Sequence, residues 1–335
     1  MNAWLPTAPC TPGTCARHDG RTRGRPVAVA LLLAGCATIL AGVLGAPFVL
    51  LLGPARRERL VRCWAYGVVR AFGVRVRITG RPAAPAGAAR APGTLVVANH
   101  ISWLDIPLVA AVFPGRMLAK CEIRNWPLLG RLVAAGGTLF VERDRLRALP
   151  TAVDGVAAAL RGGSRVVAFP EGTTWCGRGG GRFGPAVFQA AIDADALIRP
   201  VRISYRTEAP RRIGTVGRTG RPAATVSTAG PGSRPPGHEG SAPAGHTALA
   251  GHIAPSEYTA PAGHTAPGGA AAFVGDDPLL ASLWRVVTAA GLTAEIHVLP
   301  QIPAADRPDR RTLARRAQTA VANDSANRPS ESVHH

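Results

Sequence analysis

From Val27 to Leu52 the chain carries no charged residue. As a helix rising ~1.5 Å per residue, this run is about 39 Å long, longer than the ~30 Å hydrocarbon core of a bilayer. Arg17, Arg21, Arg23 and Arg25 precede it, and Arg56, Arg57, Arg59 and Arg62 follow. Its length and late start argue against a cleaved signal peptide and point to a membrane anchor over residues 26–73. With arginines on both flanks, positive charge does not fix the orientation. Gly35, Gly42, Gly45 and Pro47 offer break points. The run therefore either crosses once or dips in and returns with both ends cytoplasmic. The following RRERLVRCWAYGVVRAFG mixes Arg with Trp64, Tyr66 and Phe72. It reads either as an amphipathic helix at headgroup level or as a half-buried helix leading into a soluble domain.

The formal net charge is +19, and Lys120 is the only lysine among 39 basic residues. Such a surplus favours anionic partners, phospholipid headgroups among them. No RNP-like aromatic pair, zinc knuckle or recognition-helix motif accompanies it, so no nucleic-acid partner is expected. The six cysteines form no CxxC pair, and reduced, mostly structural thiols are expected. Cys10 and Cys15 fall in residues 1–25, a Pro- and Thr-rich basic head expected to be disordered.

From residue 74 the pattern becomes α/β. VRVRITG (74–80) alternates like an edge strand, and TLVVA (94–98) is the continuous apolar run of a buried one. TLFVE (138–142), RVVAF (165–169) and IRPVRISY (198–205) read as further strands. WLDIPLVAAVF, TAVDGVAAALRGG and PAVFQAAIDA read as the helices between them. The alternation predicts a mostly parallel sheet flanked by helices. Its ligand edge would lie at the strand C-termini, where NHISWLD, RDR and PEGTT follow three of the strands.

Residues 206–271 are rich in Pro, Gly, Ala, Ser and Thr, with PAGHTA at 243–248 repeated at 261–266. His238, His246, His252 and His264 are too widely spaced, and too bare of Cys or carboxylate neighbours, for a metal site. A low-complexity insertion is the better reading. Structure resumes in FVGDDPLLASLWRVVTAAG, a helix expected to turn Leu279, Leu283, Trp284 and Val287 inward. A strand, EIHVLPQI (295–302), and a basic amphipathic helix follow, and residues 323–335 are expected to be a disordered tail.

TLVVA ends in Asn99 and His100, with Asp105 five positions beyond His100. A neutral, oriented His can take a proton from a hydroxyl at neutral pH. A carboxylate on its other ring nitrogen fixes the tautomer and stabilises the imidazolium. The sequence holds no GxSxG elbow, so attack by a substrate hydroxyl fits better than a covalent enzyme intermediate. The spacing alone is equally that of a His capping a helix.

NHISWLD, GTLFVERD, FPEGTT and IRPVRISY occur in that order and resemble the four motifs of the lysophospholipid acyltransferase family. The nearest resemblance is to bacterial 1-acyl-sn-glycerol-3-phosphate acyltransferases. MLAKCEIRNWPLLG and FVGDDPLLASLWRV are also similar to family segments. The likeness implies a glycerolipid acyltransferase-like α/β fold, with a core over 74–205 and a C-terminal part over 272–322. It implies transfer of an acyl group from acyl-CoA or acyl-carrier protein to the free hydroxyl of 1-acylglycerol-3-phosphate, at the cytoplasmic face of the cell membrane. His100 would be the general base and Asp105 its orienting partner. Arg143 would bind the acceptor phosphate, and Glu171, Gly172, Thr173 and Thr174 would position the acceptor. Lys120 would add positive charge or pair with Glu122. The resemblance implies no metal and no organic cofactor. Thr174 and Trp175 stand where the family often has Arg or Thr and then Ser, and Gly184 where many members carry Lys. A lysolipid without phosphate, such as lyso-ornithine lipid, is the alternative acceptor, with Arg143 then binding a carboxylate. The same residues also suit a hydrolase that uses the His–Asp pair on water, or a non-catalytic membrane lipid-binding protein.

Overall fold

The computed structural model of the chain describes residues 6–18, 20–80, 93–125, 130, 133–134, 136–142, 145–207, 268–304 and 309–326. The uncharged run forms one unbroken helix, Arg25–Leu50 (α1), with Pro47 near its end. Gly53 and Pro54 then lead into a second helix, Pro54–Ala71 (α2), which packs back along the first. The expected break points at Gly35 and Gly42 are instead seats for aromatic rings. A Cβ at Gly35 would lie 2.4 Å from Phe72, and one at Gly42 would lie 2.3 Å from Trp64. Trp64 also donates its indole N–H to the Thr38 carbonyl at 2.8 Å. Helix α1 is long and apolar enough to cross a membrane by length and composition. Its Leu33, Leu44 and Phe48 are exposed. Helix α2 buries Ala65, Val68 and Val69, which agrees with the half-buried reading of this segment.

Thr94–Ala98 (β2) lies at the centre of an eight-stranded sheet because its run is apolar on both faces. Val96 and Ala98 join one core cluster with Phe72, Leu104, Leu108 and Val109. Leu95 and Val97 join another with Val156, Leu160, Phe188 and Leu313. Each buried Val, Leu or Phe among them, taken from water, contributes about 1.5–3 kcal/mol. With Arg75–Thr79 (β1), Arg116–Lys120 (β3), Leu139–Val141 (β4), Arg165–Ala168 (β5), Leu197–Arg206 (β6), Thr293–Val298 (β7) and Ile302–Pro303 (β8), the sheet order is β1-β7-β6-β2-β5-β3-β4, with β8 on β6. Strands β2, β3, β4, β5 and β6 are mutually parallel, while β7 runs antiparallel to β6. The helices are Asp105–Val112 (α3), Leu149–Arg161 (α4), Ala186–Asp193 (α5), Leu279–Thr288 (α6) and Arg310–Ala326 (α7).

Several expectations are corrected. Residues 6–18 of the head are packed rather than disordered. Cys10, Cys15 and Ala16 are buried, Pro12–Cys15 forms a helical turn, and Arg23 donates to the Val287 and Gly73 carbonyls. Apolar contact supplied by the distant 268–290 segment outweighs the polar local composition. Strand β3 has no signal of its own in the sequence, because RMLAK lacks the β-branched signature; pairing with β4 and β5 decides its state. In α6, Val286 and Val287 are buried, but Leu279 and Trp284 are each 39% exposed. Helix α7 continues to Ala326, past the expected start of the tail. Of the insertion, residues 208–267, including the four histidines, lie outside the described residues. Its last residues form a buried turn at Gly269–Ala271.

Candidate active site

Parallel β2, β5, β3 and β4 end at one edge of the sheet, and the turn after β2 carries His100. Asn99 anchors this turn by continuing the sheet with its side-chain amide. It donates to the Ile203 carbonyl at 2.9 Å and accepts from the Ile203 N–H at 2.8 Å. The Asp105 N–H donates to the Ser102 carbonyl at 3.1 Å, and this tight turn brings residue 105 back to residue 100. Asp105 opens α3, and its carboxylate is fully buried. One oxygen accepts from the Ile101 and Ser102 N–H groups at 2.6 and 2.8 Å and meets His100 Nδ1 at 2.9 Å. The other accepts from the Tyr205 hydroxyl at 2.6 Å. An ionised carboxylate, which only accepts, satisfies all four partners when Nδ1 carries the imidazole hydrogen. This network assigns the tautomer that leaves the Nε2 lone pair free.

The His100 ring stacks on Phe169, with centroids 4.2 Å apart and planes 20° apart, and its side chain retains 20% exposure. The imidazole is thus held on one edge and one face while part of it stays open. Tyr205 is held far above the ordinary phenol range, first by burial and then by the Asp105 charge. It therefore remains a donor.

Glu171, expected to help position the acceptor, packs against the turn that carries His100. It is 3% exposed, and its two oxygens accept from the His100 N–H at 2.7 Å and the Gly181 N–H at 3.1 Å. The carboxylate thereby braces the backbone that carries the imidazole. Burial raises its pKa to about 7, and the Asp105 charge adds to the rise. The two backbone hydrogen bonds pull the other way.

Gly172 adopts φ +74°, and a Cβ there would lie 2.5 Å from Pro6. Both facts call for glycine. Thr173 is half-buried. Thr174 donates its hydroxyl to the Phe273 carbonyl, so this side chain is committed to joining two loops. The Trp175 N–H donates to the His100 carbonyl at 2.7 Å. Lys120 is exposed at the C-terminal end of β3, two strands from β2 and so about 10 Å across the sheet. Arg143 follows β4 but lies outside the described residues. The structure thus brings His100, Asp105 and the 171–174 loop together.

Sequence reading gives no site role to Tyr205 or Phe169, although both stand in or beside the four motifs. A Tyr closing a buried strand and a Phe just before PEGTT are the available signals. Neither reveals its partner without the fold.

The acyltransferase family model matches residues 75–204. A lyso-ornithine lipid O-acyltransferase from Pseudomonas aeruginosa is 32% identical over 269 residues, covering 79% of this chain and 78% of that protein. The chain belongs to the acyltransferase family. Another member, a 1-acyl-sn-glycerol-3-phosphate acyltransferase of Neisseria gonorrhoeae, is 38% identical over 159 residues. That match spans 48% of this chain and 60% of the Neisseria protein's length. The crystal structure of the 1-acyl-sn-glycerophosphate (LPA) acyltransferase from Thermotoga maritima matches 90% of this chain and 98% of its own. With a TM-score of 0.54 and 16% identity, that likeness is one of fold.

Proposed function

We propose that the protein transfers a fatty acyl group from acyl-CoA or acyl-carrier protein to the free hydroxyl of 1-acylglycerol-3-phosphate, giving phosphatidic acid. The observation that carries this reading is His100, tied through Nδ1 to buried Asp105 with its ring partly open. The acceptor hydroxyl gives its proton to His100 Nε2 as its oxygen attacks the thioester carbonyl carbon. Asp105 balances the imidazolium so formed. When the tetrahedral intermediate collapses, the C–S bond breaks and the Nε2 proton goes to the departing thiolate. The enzyme ends in its starting state, and this chemistry needs no metal or organic cofactor. In this reading Arg143, two positions after β4 in the sequence, receives the acceptor phosphate, Lys120 at the end of β3 adds positive charge, and Thr173 contacts the glycerol.

An amphiphilic acceptor has to be taken from a bilayer. We place the catalytic domain on the cytoplasmic face of the cell membrane, held there by α1 and the arginines of α2 against anionic phospholipid headgroups. A second acceptor, lyso-ornithine lipid, is favoured by the Pseudomonas relative, whose match covers more than three quarters of both chains.

Membranes containing the wild-type chain or His100→Ala, given radiolabelled oleoyl-CoA with lysophosphatidic acid or lyso-ornithine lipid, test both readings. Label in phosphatidic acid, lost in the variant, supports the first. Label only in ornithine lipid replaces the acceptor and keeps the mechanism. Free fatty acid as the product makes the protein a hydrolase. No transfer from oleoyl-CoA or from oleoyl-acyl-carrier protein reduces it to a lipid-binding protein.

A further inference from the structure

Cys10, Cys15 and Cys176 come from segments more than 160 positions apart, yet their thiols all lie within 4.8 Å of one another and all three residues are buried. The local geometry accounts for the convergence. The Cys15 N–H donates to the Thr11 carbonyl at 2.9 Å, closing the turn Pro12–Cys15 and bringing two sulfurs five positions apart onto one side. Cys176 enters from the loop after β5. We infer that these three thiols form a zinc site, with the fourth coordination position left to water or another small ligand.

Zinc–thiolate bonds of ~2.3 Å in tetrahedral geometry put sulfurs about 3.8 Å apart. The cluster therefore needs to close by no more than about 1 Å. Thiolate sulfur selects soft d10 cations over magnesium or calcium. A disulfide would engage two of the three sulfurs and strand the third, whereas a metal uses all of them. Binding releases the thiol protons, and the site as a whole then carries about one negative charge, in a chain with a formal charge of +19.

The place of this site gives it a consequence. Cys176 directly follows Trp175, whose N–H holds the His100 carbonyl, and Pro6 of the head rests against Gly172. Zinc would clasp residues 6–18 onto the 171–177 loop and so fix the wall of the candidate active site. The metal takes no part in acyl transfer in this reading. The site stands whichever acceptor the enzyme uses.

The test uses the full chain in detergent, stripped with a chelator under reductant and titrated with zinc chloride alone. About one zinc per chain by elemental analysis is expected, lost in Cys10→Ser, Cys15→Ser and Cys176→Ser and retained in Cys36→Ser, Cys63→Ser and Cys121→Ser. Cobalt in place of zinc should give thiolate-to-metal charge-transfer absorption with the same dependence on the three cysteines. Zinc should also slow tryptic cleavage at Arg17, Arg21 and Arg23. Cys10→Ser and Cys15→Ser lie outside the α/β body, so they decide the matter if Cys176→Ser fails to fold. The proposal is overturned if the stripped protein takes up no zinc, or if uptake survives loss of Cys10 or Cys15. Recovery of two of these thiols as a disulfide under cytosol-like reducing conditions would overturn it equally.

Discussion

Replacing Glu171 by Gln removes one acceptor from a place where two backbone N–H groups, one partly and one fully buried, each have one. The Gln oxygen can serve His100 or Gly181, and its NH2 then faces the other donor. That mismatch costs about 1–3 kcal/mol at every pH. A second contribution depends on pH. The Glu171 pKa rises from 4.5 to about 7 on folding, so between those values the folded protein holds a proton that the unfolded chain has released. Wild-type stability therefore falls as pH rises through this window and levels off above it. At about 1.4 kcal/mol per pH unit, the full penalty is about 3 kcal/mol, and about 2 kcal/mol of it accrues between pH ~5.5 and pH ~8. The Gln variant has no such titration. Thermal unfolding of both proteins in detergent should show the variant well below wild type at pH ~5.5. By pH ~8 the gap should have moved in the variant's favour by about 4 °C or more. A gap that is the same at both pH values would mean Glu171 is ionised throughout, and the argument from burial would fail.

Tyr205→Phe deletes one charge-assisted bond to buried Asp105 and should cost about 1.5–3 kcal/mol in unfolding free energy. Three partners remain on the other carboxylate oxygen, so His100 stays aligned; the turnover number should fall about tenfold or less, measured with saturating acyl donor. Asp105→Asn can place its oxygen toward Ile101, Ser102 and His100 and its NH2 toward the Tyr205 oxygen. It should fold yet lose about a hundredfold or more in acyl transfer, because the charge opposite the imidazolium is gone. Gly42→Leu drives a side chain into Trp64 and should destabilise the α1–α2 pair by about 1–3 kcal/mol. Gly45→Leu, with nothing within 4 Å of its Cβ, should be tolerated; tryptophan fluorescence during unfolding separates the two.

What the sequence determined by itself is local. An uncharged run longer than a bilayer core forms a long helix regardless of context, and TLVVA, apolar at every position after Thr94, has to be a strand covered on both faces. His100 and Asp105 were legible as a pair because a single turn joins them, and four ordered motifs marked their family. Tertiary structure decided whatever depends on partners distant in sequence. Tyr205 meets Asp105 across 100 positions, and Glu171 accepts from the His100 N–H across 71. Strand β3 exists because β4 and β5 pair with it, although RMLAK has no strong preference of its own. The head packs because residues 268–290 offer it apolar cover, and there three cysteines that look scattered along the chain meet. Period and composition report what each residue buries. Which hydrogen bond a buried carboxylate accepts, and which thiols converge, depends on the order of strands in the sheet, which no local pattern encodes.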